Sequence, residues 1–595
     1  MINPNRQSSA GRSNQHFRSI RRFGQTLTAT AIGISAMAML SVPVKAHPQL
    51  NVFENPPLAD CVTNVDVNTP HCFNMTNLHT HGLWISPTGN SDNVLLSIRP
   101  GVTFQCEYNI PIDHPAGTFW YHPHLHGSTA IQVSNGMAGA LIIRGDRAPT
   151  PTAQGDLDTL LRDVKGNPYQ ERIVLLQQLP YACRDAQGKI TTDPATGYWI
   201  CKEGAVGEVT NYGDQLSPGD WAKSGRHTSV NGKIAPRFEG SVQGVAERWR
   251  IIHAGVRETV NLSFRKLSEK SVEKGGPALF DEVMKLGPSI VEKYYTGEEL
   301  VQGSVAMDGL TRANVITQTQ SIQQPGYRED LLMVFPEAGQ YCVIDEAVPA
   351  NSSITAIAES RRLLGVVAVE AAASGTKLLS LQDQLIASAN ANMPAAIKGK
   401  VVADLQNNMS LASFVWHKTI EKKEVQGTQL VGFKIELPNK TNKLKKPLFQ
   451  VGTVDTSGNL VKPKSYDPDV VDKVLTLGGV DEWTLKSFLA NHPFHIHVNP
   501  FQIVSAINNA TGKEESGYEP GNTSPYANLK GVWKDTLMVR STHTLKVRTR
   551  YQRYIGEFVL HCHILDHEDQ GMMQNVEVRI PDGRGGTVGQ SHGAH

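Results

Sequence analysis

Residues 556–567 read Gly-Glu-Phe-Val-Leu-His-Cys-His-Ile-Leu-Asp-His, and this stretch decides the fold. Its apolar first half is typical of a β-strand. Because side chains alternate between the two faces of a strand, His561 and His563 point one way and Cys562 points the other. We therefore predict that one backbone segment serves two sites, one on each side of itself.

The cysteine face carries donors for an electron-transfer copper. A blue-copper site takes two imidazoles, one thiolate and a weak axial ligand. Cys562, His567 and the thioether of Met572 supply three of these groups, so the second imidazole must come from elsewhere. A redox-inactive zinc site, or a buried thiol beside unrelated histidines, is the alternative for this stretch alone.

Three further histidine clusters occur in the chain. Residues 79–82 read His-Thr-His-Gly, residues 122–124 read His-Pro-His, and residues 492–497 read His-Pro-Phe-His-Ile-His. Each contains histidines two residues apart, which a strand presents on one face. One such pair is weak evidence for a metal site, but four pairs in a chain with 21 histidines are strong evidence.

The decisive stretch also belongs to an internal repeat. Residues 117–124 (Gly-Thr-Phe-Trp-Tyr-His-Pro-His) and 339–346 (Gly-Gln-Tyr-Cys-Val-Ile-Asp-Glu) share its pattern. With the glycines aligned, the last three positions read His-Pro-His, Ile-Asp-Glu and His-Cys-His in chain order. A short apolar strand follows each copy, at 139–143, 365–369 and 574–578. We infer three homologous domains, of which the first and third hold metal.

In this order, the four clusters closely resemble those of the multicopper oxidases, in particular the laccase-like three-domain bacterial type, over about residues 47–582. The resemblance implies type 1 copper at His492, Cys562, His567 and Met572, and type 2 copper at His79 and His495. It implies that His81, His122 and His563 hold one type 3 copper, and that His124, His497 and His561 hold the other. Every ligand position of the family pattern is matched.

Many short strands and frequent Gly and Pro turns predict an all-β protein, and the resemblance makes it three cupredoxin-like Greek-key β-sandwich domains. A helical insertion is predicted at Gly275–Tyr295. The predicted divisions are an export signal peptide at 1–46, cupredoxin domain 1 with trinuclear ligands at 47–150, cupredoxin domain 2 without copper at 151–371, a partly helical linker at 372–411, cupredoxin domain 3 with type 1 copper and trinuclear ligands at 412–582, and a disordered tail at 583–595.

The N-terminus predicts export to the periplasm or the extracellular space. Arg21-Arg22 precedes a short apolar run, and Val44-Lys45-Ala46 offers small residues for cleavage. The apolar run is too short to span a bilayer, and the sequence offers no other candidate span. The paired arginines suit the twin-arginine route, but Phe23 follows them directly, so the Sec route stays open.

The chain has seven cysteines, and assigning Cys562 to copper leaves an even number. Pairs Cys61–Cys72 and Cys183–Cys201 would close short loops, and Cys106–Cys342 would then join the first two domains. Free buried thiols are the alternative, because domains of this size do not need such staples.

The net charge and the family resemblance together narrow the range of possible functions. The formal net charge is +1, so nothing argues for nucleic acid as a partner. The resemblance implies a copper-dependent oxidoreductase that couples one-electron oxidation of a small reducing substrate to four-electron reduction of O₂ to water. It implies about four coppers per chain, one of type 1, one of type 2 and two of type 3. We expect a monomer.

Two acids are predicted to supply the protons that O–O cleavage consumes, namely Glu568 and Asp92. Asp566 and Asp569 compete for this role. The alternative is that these acids are ordinary surface charges. Electrons are expected to pass from the Cys562 sulfur through its covalent neighbours, having entered at an exposed edge of His492 or His567.

Phenols or aromatic amines are the expected reducing substrates. The other possibility is a metallo-oxidase of Cu(I), Fe(II) or Mn(II) in metal tolerance. A methionine-rich segment would support cuprous oxidation, but among 13 methionines the only adjacent pair is Met572-Met573. A binding scaffold without activity would have lost ligands, and a copper nitrite reductase would lack the full histidine cluster.

Overall fold

The computed structural model describes residues 24–28 and 66–588, apart from 217–219, 221–222, 225–226, 268–296, 351–352, 355–357, 360, 443, 520 and 585. Most of the predicted export signal, Cys61 and the predicted helical insertion lie outside these residues. The described chain is all-β with a few helices, as the sequence predicts.

The first group of strands carries the first two histidine clusters. A three-stranded sheet has the order β2-β4-β5, and β1 pairs with β3. The elements are β1 (Gly24–Thr28), β2 (His79–His81), β3 (Thr103–Glu107), β4 (Gly117–His122), helix α1 (Thr129–Ser134) and β5 (Gly139–Ile143).

The second group is a sandwich of two sheets. Their strand orders are β13-β10-β15-β16-β8 and β12-β11-β14-β9-β6-β7, and Trp249, Phe264 and Leu331 pack between them. The elements are β6 (Gln170–Leu179), helix α2 (Tyr212–Gln215), β7 (His227–Val230), β8 (Arg237–Val242), β9 (Ala246–His253), β10 (Val260–Lys266), β11 (Gln302–Met307), β12 (Leu310–Gln318), β13 (Ser321–Gln323), β14 (Arg328–Val334), β15 (Gly339–Asp345) and β16 (Arg362–Glu370), preceded by a 3₁₀ turn at Leu157–Thr159.

Two helices, α3 (Leu381–Asn392) and α4 (Ala395–Gln406), follow the second group. The Ser380 hydroxyl accepts a hydrogen bond from the backbone N–H of Asp383 and caps α3. Leucine, alanine and valine side chains on one face of each helix pack on Val305 and Leu332 of the six-stranded sheet. The helices therefore cover the outer face of that sheet, within the range where the sequence predicts a partly helical linker.

The third group is the largest sandwich. Its sheets have the orders β19-β18-β17-β21-β26-β23-β24 and β20-β28-β27-β22-β25, with β29 on β28. The elements are β17 (Gly427–Glu436), β18 (Leu448–Val454), β19 (Leu460–Lys464), β20 (Val471–Thr476), β21 (Val480–Ser487), β22 (His492–Ile496), β23 (Phe501–Asn508), β24 (Trp533–Lys534), β25 (Thr536–Val539), β26 (His543–Arg550), β27 (Gly556–Cys562), helix α5 (Leu565–Asp569), β28 (Met573–Pro581) and β29 (Thr587–Val588), with 3₁₀ turns at Ala412–Phe414 and Lys422–Glu424.

All three copies of the internal repeat form the same substructure. In each copy the glycine-led strand pairs antiparallel with the apolar strand after it: β4 with β5, β15 with β16, and β27 with β28. The sheets are not purely antiparallel, however. β6/β9, β8/β16, β17/β21 and β20/β28 are parallel, because long connections return the chain to the same sheet.

The cysteine pairing was predicted only in part. Cys183 and Cys201 form a disulfide, and Cys72 is also disulfide-bonded. The Cys106–Cys342 pairing is wrong, because neither sulfur is in a disulfide. Cys106 lies on β3, whereas Cys342 lies in the middle of β15, between β10 and β16 of another sheet. An even number of cysteines cannot reveal such a separation.

No helix in the described part of the chain is long and apolar enough to cross a membrane.

The packing of α3 gives a stability prediction. Leu385 on α3 is fully buried, whereas Leu378, just before the helix, is 43% exposed. Leu385→Ala should cost about 2–5 kcal/mol of stability, because it leaves a cavity under the helix. Leu378→Ala is the matched control and should cost far less. The thermal unfolding midpoints of both variants test this, and equal shifts would contradict the packing.

Candidate metal centres

The first candidate centre surrounds the sulfur of Cys562, at the end of β27. β27 pairs with β22, with Phe494 opposite Cys562, and β22 begins at His492. Sγ lies 3.4 Å from His492 Nδ1 and 3.8 Å from His567 Nδ1. One ion can therefore contact all three side chains, and we call this set the cysteine centre.

Met572 closes the turn that follows these ligands. Its backbone N–H donates to the His567 carbonyl at 2.9 Å, and its own carbonyl accepts from the Cys562 N–H at 3.0 Å. The Met572 side chain is fully buried in the same apolar cluster as Cys562. The turn therefore holds the thioether in the core around the sulfur, while its axial role remains a prediction.

The second candidate centre gathers eight buried histidines, and we call it the histidine centre. Strands β2 and β4 of the first group meet strands β22 and β27 of the third group here. Within the first group His79 lies opposite His122, and within the third group His495 lies opposite His561. Potential ligand atoms lie within 4.8 Å of one another in three sets: His79, His81 and His495; His81, His122 and His563; and His124, His497 and His561. The members of each copper set implied by the resemblance are thus neighbours.

Most rings in the histidine centre have one nitrogen held by the protein and the other turned inward. Nδ1 of His79 faces Asp92 at 3.0 Å, Nδ1 of His122 faces the Pro123 carbonyl at 2.8 Å, and Nδ1 of His495 faces the Asp535 carbonyl at 2.9 Å. Such outer contacts orient metal-ligating imidazoles. Nε2 of all three rings has no hydrogen-bond partner among the described residues.

Glu568 supports two further rings. Its carboxylate lies 3.4 Å from His124 Nδ1 and 3.1 Å from His561 Nδ1, and it accepts a hydrogen bond from the Thr129 hydroxyl at 3.1 Å. Nε2 of His124 and Nε2 of His561 then face each other at 3.0 Å. The side-chain contacts therefore point both Nε2 atoms into the centre.

His81 is oriented the opposite way by residues that the sequence analysis missed. Its Nε2 lies 3.1 Å from the Asp535 carboxylate and 3.2 Å from the Thr536 hydroxyl, so its Nδ1 faces inward, 3.2 Å from His563 Nε2. Asp535 has no metal-ligand spacing to any histidine in the sequence. Only the pairing of β22 with β25 brings it here.

The predicted acids are buried, so the surface-charge alternative is wrong. Asp92 contacts His79 and Glu568 contacts His124 and His561, as described above. Asp566 pairs instead with Arg257, and Asp569 accepts from the backbone N–H groups of residues 127, 129 and 130. Asp566 and Asp569 are therefore held by groups other than the histidines.

Burial sets the charge of these groups. Desolvation, reinforced by neighbouring histidines, lowers the pKa of His79, His122 and His561 well below its usual range. Desolvation likewise raises the pKa of Asp92 to about 7 and that of Glu568 above its usual value. The imidazoles are thus neutral, the form that binds metals.

The donor set fits copper. Unpartnered, buried and neutral imidazole nitrogens converge in groups of three, and imidazole is a good ligand for copper. The cysteine centre adds the His₂Cys set and a nearby buried thioether. Leaving several buried ring nitrogens without partners would be costly unless a bound ion satisfied them.

Electron entry through His492 is disfavoured. His492 is fully buried, and its Nε2 faces the Leu489 carbonyl at 2.9 Å. His567 is 5% exposed, which leaves it as the ligand of the cysteine centre that reaches the surface.

Comparison with known proteins agrees with this geometry. Family models described as multicopper oxidase match residues 54–148 and 437–582, the ranges that supply both centres. These family matches support a laccase-like multicopper oxidase. Members are copper oxidoreductases that use O₂, and the family implies type 1, type 2 and type 3 copper sites, which the two centres can accommodate.

Two laccases and one solved structure illustrate how this chain relates to known proteins. It is 23% identical to a Bacillus subtilis laccase over 80% of this chain and 73% of that protein. It is 30% identical to a Bacillus stratosphericus laccase, but that match spans only 27% of the relative. A Campylobacter jejuni multicopper oxidase, titled a metallo-oxidase, shares the fold with a TM-score of 0.54 at 19% identity, covering 85% of this chain and 80% of that one.

The buried histidines of this protein predict acid sensitivity of its metal-free form. Nine histidines of the two centres have lowered pKa values, including His124 and His492 at about 4. Between about pH 6.5 and pH 4 these histidines bind protons in the unfolded chain but not in the folded chain. Each such group removes about 1.4 kcal/mol of stability per pH unit in that window.

Buried acids oppose this trend. Four carboxyl groups, including Asp92 and Asp566, have raised pKa values, so the folded chain keeps protons that the unfolded chain releases. Nine groups outweigh four, so the thermal midpoint of the metal-free protein should fall as the pH drops from 7 to 5. Copper-loaded protein is the comparison and should unfold at a higher temperature than the metal-free form at each pH, because bound metal stabilises the folded chain. A midpoint that stays level or rises would contradict the neutral imidazoles.

Proposed function

We propose that this multicopper oxidase oxidises phenols or aromatic amines one electron at a time and reduces O₂ to water, in the manner of a laccase. The observation that carries the proposal is the position of Cys562 between His561 and His563. Its sulfur belongs to the cysteine centre, while both neighbouring imidazoles belong to the histidine centre. One strand thus links a site suited to single electrons with a site suited to a four-electron acceptor.

We assign type 1 copper to His492, Cys562 and His567 with Met572 as axial ligand, and type 2 copper to His79 and His495. The type 3 pair takes His81, His122 and His563 on one side, and His124, His497 and His561 on the other. When bound, copper supplies the one-electron acceptor in the cysteine centre and the site of O₂ reduction in the histidine centre.

The backbone between the centres is short and hydrogen-bonded. Cys562 is covalently joined to both neighbours, and the Cys562 carbonyl lies 3.0 Å from His561 Nδ1. The sulfur therefore connects to an imidazole of the histidine centre both through bonds and through this contact. This arrangement supports electron transfer from the cysteine centre inward.

An organic donor fits the surface beside the cysteine centre. Leu489, whose carbonyl faces His492, is 42% exposed, and its neighbour Phe488 is 36% exposed. On the other side, the Phe449 ring lies 4.7 Å from the ring of His567. Apolar and aromatic groups beside the ligands suit an aromatic ring better than a hydrated metal ion.

A metallo-oxidase activity is the second candidate, because the Campylobacter jejuni protein of the same fold carries that description. At 19% identity this likeness shows the fold alone. Steady-state rates on a phenol, an aromatic amine, Cu(I) and Fe(II), measured side by side with copper-loaded protein, decide between the two. A clear preference for a metal ion would overturn the laccase-like proposal.

We propose that Glu568 and Asp92 supply the protons that the reduction of O₂ consumes. Each carboxylate touches the outer nitrogen of an imidazole in the histidine centre, and together they contact His79, His124 and His561. Both are shielded from bulk water. They can therefore hold a proton next to the ligands on either side of the centre without exposing it to solvent.

We also propose that the protein is exported. The charged and apolar segments of residues 1–46 support this, and so does the Cys183–Cys201 disulfide, since disulfides persist mainly in oxidising compartments. Mass spectrometry of the N-terminus of protein recovered from each cell fraction tests it. An intact N-terminus found only in the cytoplasm would contradict export.

Paired variants test the division of ligands. Cys562→Ser should remove the red-region thiolate absorption and the activity while leaving a folded protein. His124→Ala should keep that absorption, because the type 1 ligands all lie in the third group, and should abolish O₂ consumption. Copper analysis, absorption spectra and oxygen-electrode traces are the measurements. A His124→Ala variant that loses the blue colour yet consumes O₂ would contradict the assignment.

Glu568→Gln tests the proton role. The amide keeps the shape of the side chain but cannot deliver the same proton, so reoxidation of the reduced enzyme by O₂ should slow by roughly 10²–10⁴-fold. Anaerobic bleaching of the blue band by a donor should be unchanged, which serves as the internal control. Stopped-flow absorption follows both phases. Unaltered reoxidation across the pH profile would remove Glu568 from the proton path.

A further inference from the structure

A fully buried arginine of the second group, which holds no copper in the proposed assignment, lies beside the histidine centre. Arg328 is the first residue of β14, and its two Nη atoms donate to the two carboxylate oxygens of Asp535. Such a bidentate pair fixes both the position and the orientation of the carboxylate. Asp535 lies 207 residues further along the chain, in the third group.

All three groups of strands contribute to this contact. The Arg328 guanidinium also donates to the Gly326 carbonyl at 3.0 Å, to the Asp308 carbonyl at 2.9 Å and to the Thr118 carbonyl on β4 at 3.4 Å. The guanidinium therefore has protein acceptors on several sides and little freedom to move.

The far side of Asp535 faces two ligands. Its carboxylate lies 3.1 Å from His81 Nε2, and its carbonyl lies 2.9 Å from His495 Nδ1. The Thr536 hydroxyl is 3.2 Å from the same His81 nitrogen and 3.1 Å from the same His495 nitrogen. These contacts decide which ring nitrogen each histidine turns inward, Nδ1 for His81 and Nε2 for His495.

The charges around the pair balance. Asp308 lies 3.7 Å from Arg328 and 3.1 Å from Lys534, and its carboxylate also accepts from the backbone N–H groups of Asp535 and Thr536. Two cations and two carboxylates are thus buried together. Removing one partner would leave an uncompensated buried charge beside the ligands.

The glycine of the His-Thr-His-Gly motif gives independent support. Gly82 has φ +87°, and a Cβ placed on it would come within 2.2 Å of Arg328 Nη2 and 2.6 Å of an Asp535 carboxylate oxygen. The ion pair therefore occupies the space that any other residue at position 82 would need. The backbone just after His81 packs directly against the pair.

We propose that Arg328 and Asp535 are positioning residues for the trinuclear copper site. Arg328 holds the Asp535 carboxylate, and Asp535 with Thr536 fixes the ring orientation of His81 and His495. This inference rests on the proposed function, and it assigns the copper-free second group a part in building the site beyond spacing the other two.

Copper retention in full-length, copper-loaded Arg328→Met tests the proposal. Because outer contacts of this kind typically contribute 10–100-fold in metal affinity, the copper of the histidine centre should be lost to a chelator at about 10–100-fold lower concentration than in the wild type. The blue band should persist, since the type 1 ligands do not contact the pair. Copper per chain, the type 2 paramagnetic resonance signal and the blue absorption are measured on the same samples.

Arg248→Met is the matched control. Arg248 is also buried, and it donates two hydrogen bonds to one carboxylate oxygen of Asp330 in the second group and another to Asp158. It should leave the type 2 signal unchanged. Wild-type copper retention in Arg328→Met would overturn the proposal, and so would an equal loss in Arg248→Met, which would indicate general loosening.

Thr536→Val provides a milder variant if Arg328→Met does not fold. It removes the hydroxyl facing His81 and His495 at nearly constant volume, and should weaken type 2 copper retention in the same direction; unchanged retention in this variant would overturn the proposal. The wild-type protein separates this inference from the function. Wild type that fails to hold copper in the histidine centre would count against the proposed function, whereas selective loss in the variants concerns positioning alone.

Discussion

The two-residue period of β27, locked by its pairing with β22, is the constraint on which both centres depend. Phe494 lies opposite Cys562 and His495 lies opposite His561. A slip of one residue would exchange the faces, placing the sulfur among the histidines and two imidazoles in the apolar core. The apolar residues around Cys562 therefore protect the register as well as the packing, because such a slip would bury the polar rings among them.

Around this strand, many polar imidazole rings are buried close together. A neutral imidazole has one donor and one acceptor nitrogen, and burial without partners is costly. Carboxylates and backbone carbonyls contact the outer nitrogen of most of these imidazole rings. The same contact determines which ring nitrogen faces the histidine centre. The inner nitrogens of His79, His122 and His495 have no hydrogen-bond partner among the described residues, so the same contacts that stabilise the fold leave donor atoms free for metal.

Local patterns allowed much of this to be predicted. Alternation at residues 561–563 predicted two centres, and the histidine pairs identified rings that are in fact neighbours. Asp535 and Arg328 were missed because no local spacing links them to a histidine, and they meet only through a side-chain contact between different sheets, 207 residues apart in the chain. The same limitation produced the wrong Cys106–Cys342 pairing and the expectation of an exposed edge on His492, since neither sheet membership nor burial can be read from residue type.

The second group of strands takes part in the wall of the histidine centre. Gly326 has φ +87°, and a Cβ at that position would come within 3.0 Å of the His563 ring. A Cβ at Gly309 would come within 2.6 Å of the Phe119 ring on β4. Backbone of the second group thus touches a ring of the histidine centre and the strand that carries His122. Because packed contacts this close tolerate little displacement, a shift of the second group would be transmitted to the ligands. The middle copy of the repeat carries no histidine at the aligned positions, yet its group has a structural role, because its turns and its buried Arg328 contact the other two groups.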